Sequence, residues 1–124
     1  KNPSSPYYLG KDYENILDNG NEKSRYERLT DETHYDSYLY GALYLKQIMK
    51  QWKDAGYDIK FRPEIVGTLF NVGFPQSKPK LNPKVGGSEI NISGIKYSFG
   101  RLSYEFYYSG EMMDIFPYDT EQKE

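Results

Sequence analysis

The sequence predicts a mainly α fold: one helical domain carrying a single small β-hairpin near residues 89–98. Three observations predict it. From Tyr35 to Trp52 apolar residues recur at alternating intervals of four and three, the period of one helix face. Pro63 and Gly73 then bracket a second apolar run, in the positions that open and close helices. Last, EINISGIKYS alternates apolar and polar residues about Ser93-Gly94, which reads as a hairpin. No repeat or boundary divides the 124 residues, a length that supports one core, so residues 1–124 form one domain.

In chain order, residues 1–10 carry two Pro, two Ser and a closing Gly, the composition of irregular structure. Tyr13, Ile16 and Leu17 predict a short helix over Lys11–Asp18, and Asn19-Gly20 a turn after it. Glu22–Leu29 is charged and weakly patterned, a helical turn or a loop. Thr30 or Asp31 suits the N-cap of the long helix, with Asp31 and Glu32 at its positive end. Its buried stripe is Tyr35, Tyr38, Leu39, Ala42, Leu45, Ile48, Met49 and Trp52, and Gly56 ends it. In the second helix Ile65, Leu69 and Val72 form the stripe. Gly67, if buried, admits close approach of another helix or a ligand.

Phe74–Ser88 holds three Pro, three Lys and Gly86-Gly87, a long loop of the kind that is functional or disordered. Phe99, Leu102 and Phe106 return to helical spacing, with Gly110 as the stop. Residues 119–124 are charged and expected to be a disordered tail.

Composition excludes several functions. Sixteen basic against eighteen acidic residues leave no electrostatic footprint for nucleic acid. No apolar run approaches the ~20 residues of a membrane span. Without cysteine there is no disulfide, thiolate metal site or thiol nucleophile. The single His34 is too little for a His-built metal site, and no metal or cofactor is expected. Apolar residues are only 37%, but 14 Tyr and 6 Phe supply buried area and flat faces.

One stretch carries a resemblance. Gly41-Ala42-Leu43-Tyr44-Leu45-Lys46, Trp52, and Pro63-Glu64-Ile65-Val66-Gly67-Thr68-Leu69-Phe70-Asn71-Val72-Gly73 resemble the C-terminal half of lysozyme-like lytic transglycosylases and goose-type lysozymes. Arg28-Leu29-Thr30-Asp31 is similar to the entry into that family's helix pair, so the likeness covers roughly residues 28–73. It implies an α+β lysozyme-like fold, action on peptidoglycan glycan strands, and an extracytoplasmic or secreted setting. It places Phe70, Asn71 and Gly73 at the substrate groove: Phe70 as a wall, Asn71 as donor and acceptor, Gly73 as the turn that keeps the groove open.

Phe70 replaces the family's Tyr. The family's catalytic Glu, on a helix upstream of this region, has no counterpart here. Glycoside cleavage needs a carboxylic acid of raised pKa. Glu32 is the weak candidate, and a place at a helix start favours its ionised form instead. The chain opens Lys1-Asn2-Pro3 without an initiator Met, so the acid is expected on an N-terminal segment of a longer protein or on a partner chain. The alternative is a non-catalytic helical domain that binds glycan or protein through its Tyr-rich faces.

Overall fold

The computed structural model describes residues 2–6, 8–18, 24–115 and 117–118. It is mainly helical, with one two-stranded hairpin. The helices are α1 (Lys11–Asp18), α2 (Arg25–Leu29), α3 (Tyr35–Asp54), α4 (Pro63–Val72) and α5 (Phe99–Tyr107). Strands β1 (Glu89–Ile92) and β2 (Ile95–Ser98) precede α5, and a 3-10 turn at Phe74–Gln76 follows α4. The expected turn at Asn19-Gly20 and the tail at 119–124 lie outside the described residues.

Helix α3 starts later than its acidic lead-in suggests. Asp31 spends its carboxylate on a local turn, accepting from Thr33 N and Thr33 Oγ1. His34 N donates to Asp31 O, and the helix opens at Tyr35 after His34 in a left-handed conformation (φ 56). A short Asp side chain that can close its own turn competes with helix entry. The other end follows the sequence: Tyr57 N reaches Trp52 O and Gly56 N reaches Lys53 O, with Gly56 at φ 94. Those two bonds form a Schellman stop.

Ile48 and Trp52 of α3, Ile59 of the link, and Ile65 and Leu69 of α4 form the core. The stripe read from the sequence is corrected in its N-terminal half. Tyr35 and Tyr38 are 64% and 75% exposed, Ala42 is exposed, and Leu45 is half-buried. Only the C-terminal half of α3 meets the core, and a Tyr hydroxyl lets its ring face water. Near its start α3 is held by a buried ion pair, Arg28 Nη2 to Asp36 Oδ1 at 3.0 Å.

Helices α4 and α5 cross where glycine meets hydroxyl. A Cβ on Gly67 would strike the Ser103 side chain, and one on Gly100 would strike Thr68 Oγ1 and come within 2.6 Å of Glu64 O. The close approach expected at Gly67 is thus made by a helix. Thr68 Oγ1 also accepts from Gly86 N at 3.0 Å, while Gly100 N and Phe99 N donate to Gly86 O and Ser88 O. The end of the long loop is thereby threaded along the α4–α5 seam. Because Glu64 O is backbone and cannot yield, Gly100→Ala is expected to cost about 1–3 kcal/mol. Thermal unfolding checks this against Gly41→Ala, whose new methyl meets nothing within 4 Å. Equal Tm values for the two variants would contradict the crossing as described.

The hairpin is closed by Ser93 (φ 52) and Gly94 (φ 85), two left-handed residues in succession, as a two-residue hairpin turn requires. Ile92 pairs with Ile95 and Ile90 with Tyr97, putting the apolar residues on one face. Ser98 then caps α5, its Oγ accepting from Arg101 N.

Candidate functional site

A cleft of about 430 Å³ opens between residues 8–14, helix α3 and the end of α4. Its walls are the rings of Tyr8, Tyr13, Tyr40, Tyr44 and Phe70, with Glu14 and Gln47 as polar groups. Helix α3 supplies Tyr40, Tyr44 and Gln47 at i, i+4 and i+7, one face of a helix. Gly41 lies on the same side, and its missing side chain leaves open space.

Tyr44 is the fixed wall. Its hydroxyl accepts from Phe74 N at 2.8 Å, and its ring meets Phe70 and Phe74 edge-on at 5.6 and 5.4 Å. Gly73, at φ 90, turns the chain so that Phe74 N can make that bond. Phe70 is 38% exposed, reaches the cleft on one side, and stacks toward Phe99 at 6.5 Å on the other. Its far face borders an apolar groove between α4 and α5 that Val66 and Phe106 also line.

Glu14 is the carboxylate of the cleft. Its side chain is 17% exposed, and the Tyr8 hydroxyl donates to its Oε2 at 2.7 Å. Lys11 Nζ stands 3.6 Å from Oε1, too far for a hydrogen bond. The Tyr8 bond outweighs desolvation and holds Glu14 below the usual carboxylate range. The same bond pushes the Tyr8 phenol up. Glu14 is therefore ionised at neutral pH. It can accept hydrogen bonds but cannot serve as a general acid.

Of the residues expected at a substrate groove, Phe70 lines the cleft. Gly73 shapes the turn behind Tyr44 rather than a wall. Asn71 faces the other way: its Oδ1 accepts from Ser88 N at 2.6 Å, which ties α4 to the loop before β1. Glu32 sits on the exposed turn before α3, ahead of the helix start at Tyr35 rather than in the first helical turn expected for it, and does not line the cleft. His34 is exposed at the helix entry, and Lys78, Lys80 and Lys84 are exposed on their loop.

Tyr8, Tyr13, Glu14, Tyr40 and Gln47 were not legible as site residues. The spacing of Tyr40, Tyr44 and Gln47 along α3 was the available signal, a second stripe beside the core stripe. Glu14 carried none, because its Tyr8 partner is set by the fold of residues 8–14.

Among the described residues no group of three or more His, Cys, Asp or Glu is placed to hold a metal ion, and no helix is long and apolar enough to cross a membrane. Comparison of the chain with protein-family profiles, with curated proteins and with solved structures finds no match in any of the three.

Proposed function

We propose that the cleft binds a glycan strand of peptidoglycan and that the chain is the glycan-holding part of a lysozyme-like enzyme. The observation that carries this is the cleft itself, aromatic on its walls and open at one side, with Phe70 and Tyr44 where α4 ends against α3. Of the three residues that the family resemblance puts at the sugar groove, Phe70 lines this cleft.

Flat rings stack on the apolar faces of pyranoses, and a few convergent polar groups fix orientation. Glu14, held ionised by Tyr8, accepts from sugar hydroxyls, and Gln47 lines the same cleft with an amide. Cleavage needs a protonated acid beside the glycosidic oxygen. Glu14 is the only carboxylate lining the cleft among the described residues, and its pKa lies in the wrong direction. This chain's proposed share of the chemistry is then to seat the strand.

Titration calorimetry with peptide-free glycan strands tests the reading. The protein binds them, and Phe70→Ala weakens binding by about tenfold. Phe70 also packs on Tyr44 and Phe99, so binding is read well below the Tm of the variant. Strands that do not bind, or bind Phe70→Ala equally well, defeat the proposal.

A protein-binding role has its own supporting observation. Tyr26, Tyr35 and Tyr38 are all largely exposed on α2 and the start of α3, away from the cleft lining. Exposed aromatics of this kind favour protein contacts.

A further inference from the structure

Beside the aromatic cleft lies a groove of the opposite chemistry, and the two share a wall at Leu9. The groove encloses about 290 Å³ and is lined by Lys46, Lys50, Lys53 and Lys60, with Asp58 as its one carboxylate. Lys46, Lys50 and Lys53 recur at i, i+4 and i+7 along the C-terminal half of α3, and Lys53 stands in the last turn, where the helix dipole favours a cation. Lys60 comes from the link to α4.

These ammonium groups are only partly neutralised. Asp54 pairs with Lys50, and Asp58 stands 4.0 Å from Lys60. Lys53 is exposed and has no ion pair among the described residues. Lys46 Nζ rests 5.1 Å from the centre of the Tyr13 ring, a wall of the aromatic cleft. One cation therefore stands on the border of the two sites. On a chain of net charge -2, this concentration of positive charge is local. A neutral sugar gains little from such a groove, whereas an anion attached to that sugar gains directly.

We infer that the lysine groove receives the carboxylates of the short peptide carried by peptidoglycan sugars while the sugar occupies the aromatic cleft. This rests on the glycan reading above. It makes the site selective for peptide-bearing strands. The groove contributes attraction and orientation, and no bond changes there.

The test compares strands with intact peptides and strands stripped of them whose freed lactyl carboxylates are amidated, both titrated into the full chain. Peptide-bearing strands bind about three- to tenfold tighter at low salt, and the gap closes as salt rises. The triple variant Lys50→Gln, Lys53→Gln, Lys60→Gln removes the gap and leaves stripped-strand binding as it was. Lys53→Glu alone, at an exposed position, narrows the gap without threatening the fold.

If the unaltered protein binds stripped strands but gains nothing from peptides, the groove assignment is overturned and the glycan reading stands. If it does not bind stripped strands, the glycan reading itself fails. Stronger competition by poly(glycerol phosphate) than by free stem peptide would assign the groove to phosphate and overturn the peptide assignment.

Discussion

Trp52→Ala is expected to cost about 3–5 kcal/mol of stability, enough to lower Tm by ~10–20 °C in a domain of this size. Trp52 is 1% exposed and is the largest fully buried side chain. Its ring packs among Ile48, Ile59, Ile65 and Leu69, so removal opens a cavity bounded by α3, α4 and their link. The indole also has a polar duty. Nε1 donates to Ser77 Oγ at 3.0 Å, and Ser77 Oγ donates to Gln51 Oε1 at 2.7 Å. Ser77 N closes the 3-10 turn onto Gly73 O and Phe74 O. Trp52→Phe keeps most of the volume but removes the Nε1 bond, and should cost about 1–2 kcal/mol. Urea denaturation of both variants separates the two contributions. A loss under about 1 kcal/mol for Trp52→Ala would mean the core is centred elsewhere.

Asp36→Ala is expected to cost a similar ~3–5 kcal/mol through a different cause. The Arg28 and Asp36 side chains are 6% and 9% exposed, and their bond is 3.0 Å long. Removing the carboxylate leaves a guanidinium in a site that water barely reaches. The Tyr40 ring, 5.7 Å from Arg28 Cζ, offers it only partial compensation. Replacing both partners by apolar residues, Arg28→Met with Asp36→Leu, should recover most of the loss, because the penalty comes from a buried charge that has lost its carboxylate. Recovery in the double variant and loss in the single one is the pattern to look for in urea melts. If the single variant is nearly neutral, α2 is not anchored as described. Tyr40 lines the cleft, so the ion pair also steadies one of its walls.

The parts of the fold legible in the sequence are those marked by residues with narrow backbone preferences. Pro63 and Gly73 bracket α4, Gly56 stops α3, and Ser93-Gly94 closes the hairpin. The start of α3 was not legible. Asp31 is as good at closing a local turn as at capping a helix, and only the observed bonds to Thr33 decide between them. Tyr35 and Tyr38 fit the apolar period, yet a tyrosine is at home on either side of a surface, and among the described residues α2 covers Asp36 on that end of α3 while both rings stay exposed.

The site was legible at Phe70, because the Leu69–Gly73 run sits at a helix end. It was not legible at Asn71. An Asn near a helix C-terminus ordinarily serves its own helix, and here its oxygen holds Ser88, 17 residues further on. The Tyr8–Glu14 pair arises when residues 8–14 come to lie against α3, a tertiary event with no periodic trace. Of the lysine groove, Lys46, Lys50 and Lys53 share one helix face in the sequence, while Leu9, Asp58 and Lys60 are brought to them by the fold.

The connection from Ser77 to Ser88 has one more consequence. Ser77 is fastened to Trp52 and Gln51, while Gly86 and Ser88 are fastened to Thr68 and Asn71. Lys78, Lys80, Leu81, Asn82 and Lys84, between those anchors, are exposed. The span behaves as a strap riveted at both ends, so foreign sequence spliced in around 80–82, or a cut made there, would leave the two halves seated on the same helices.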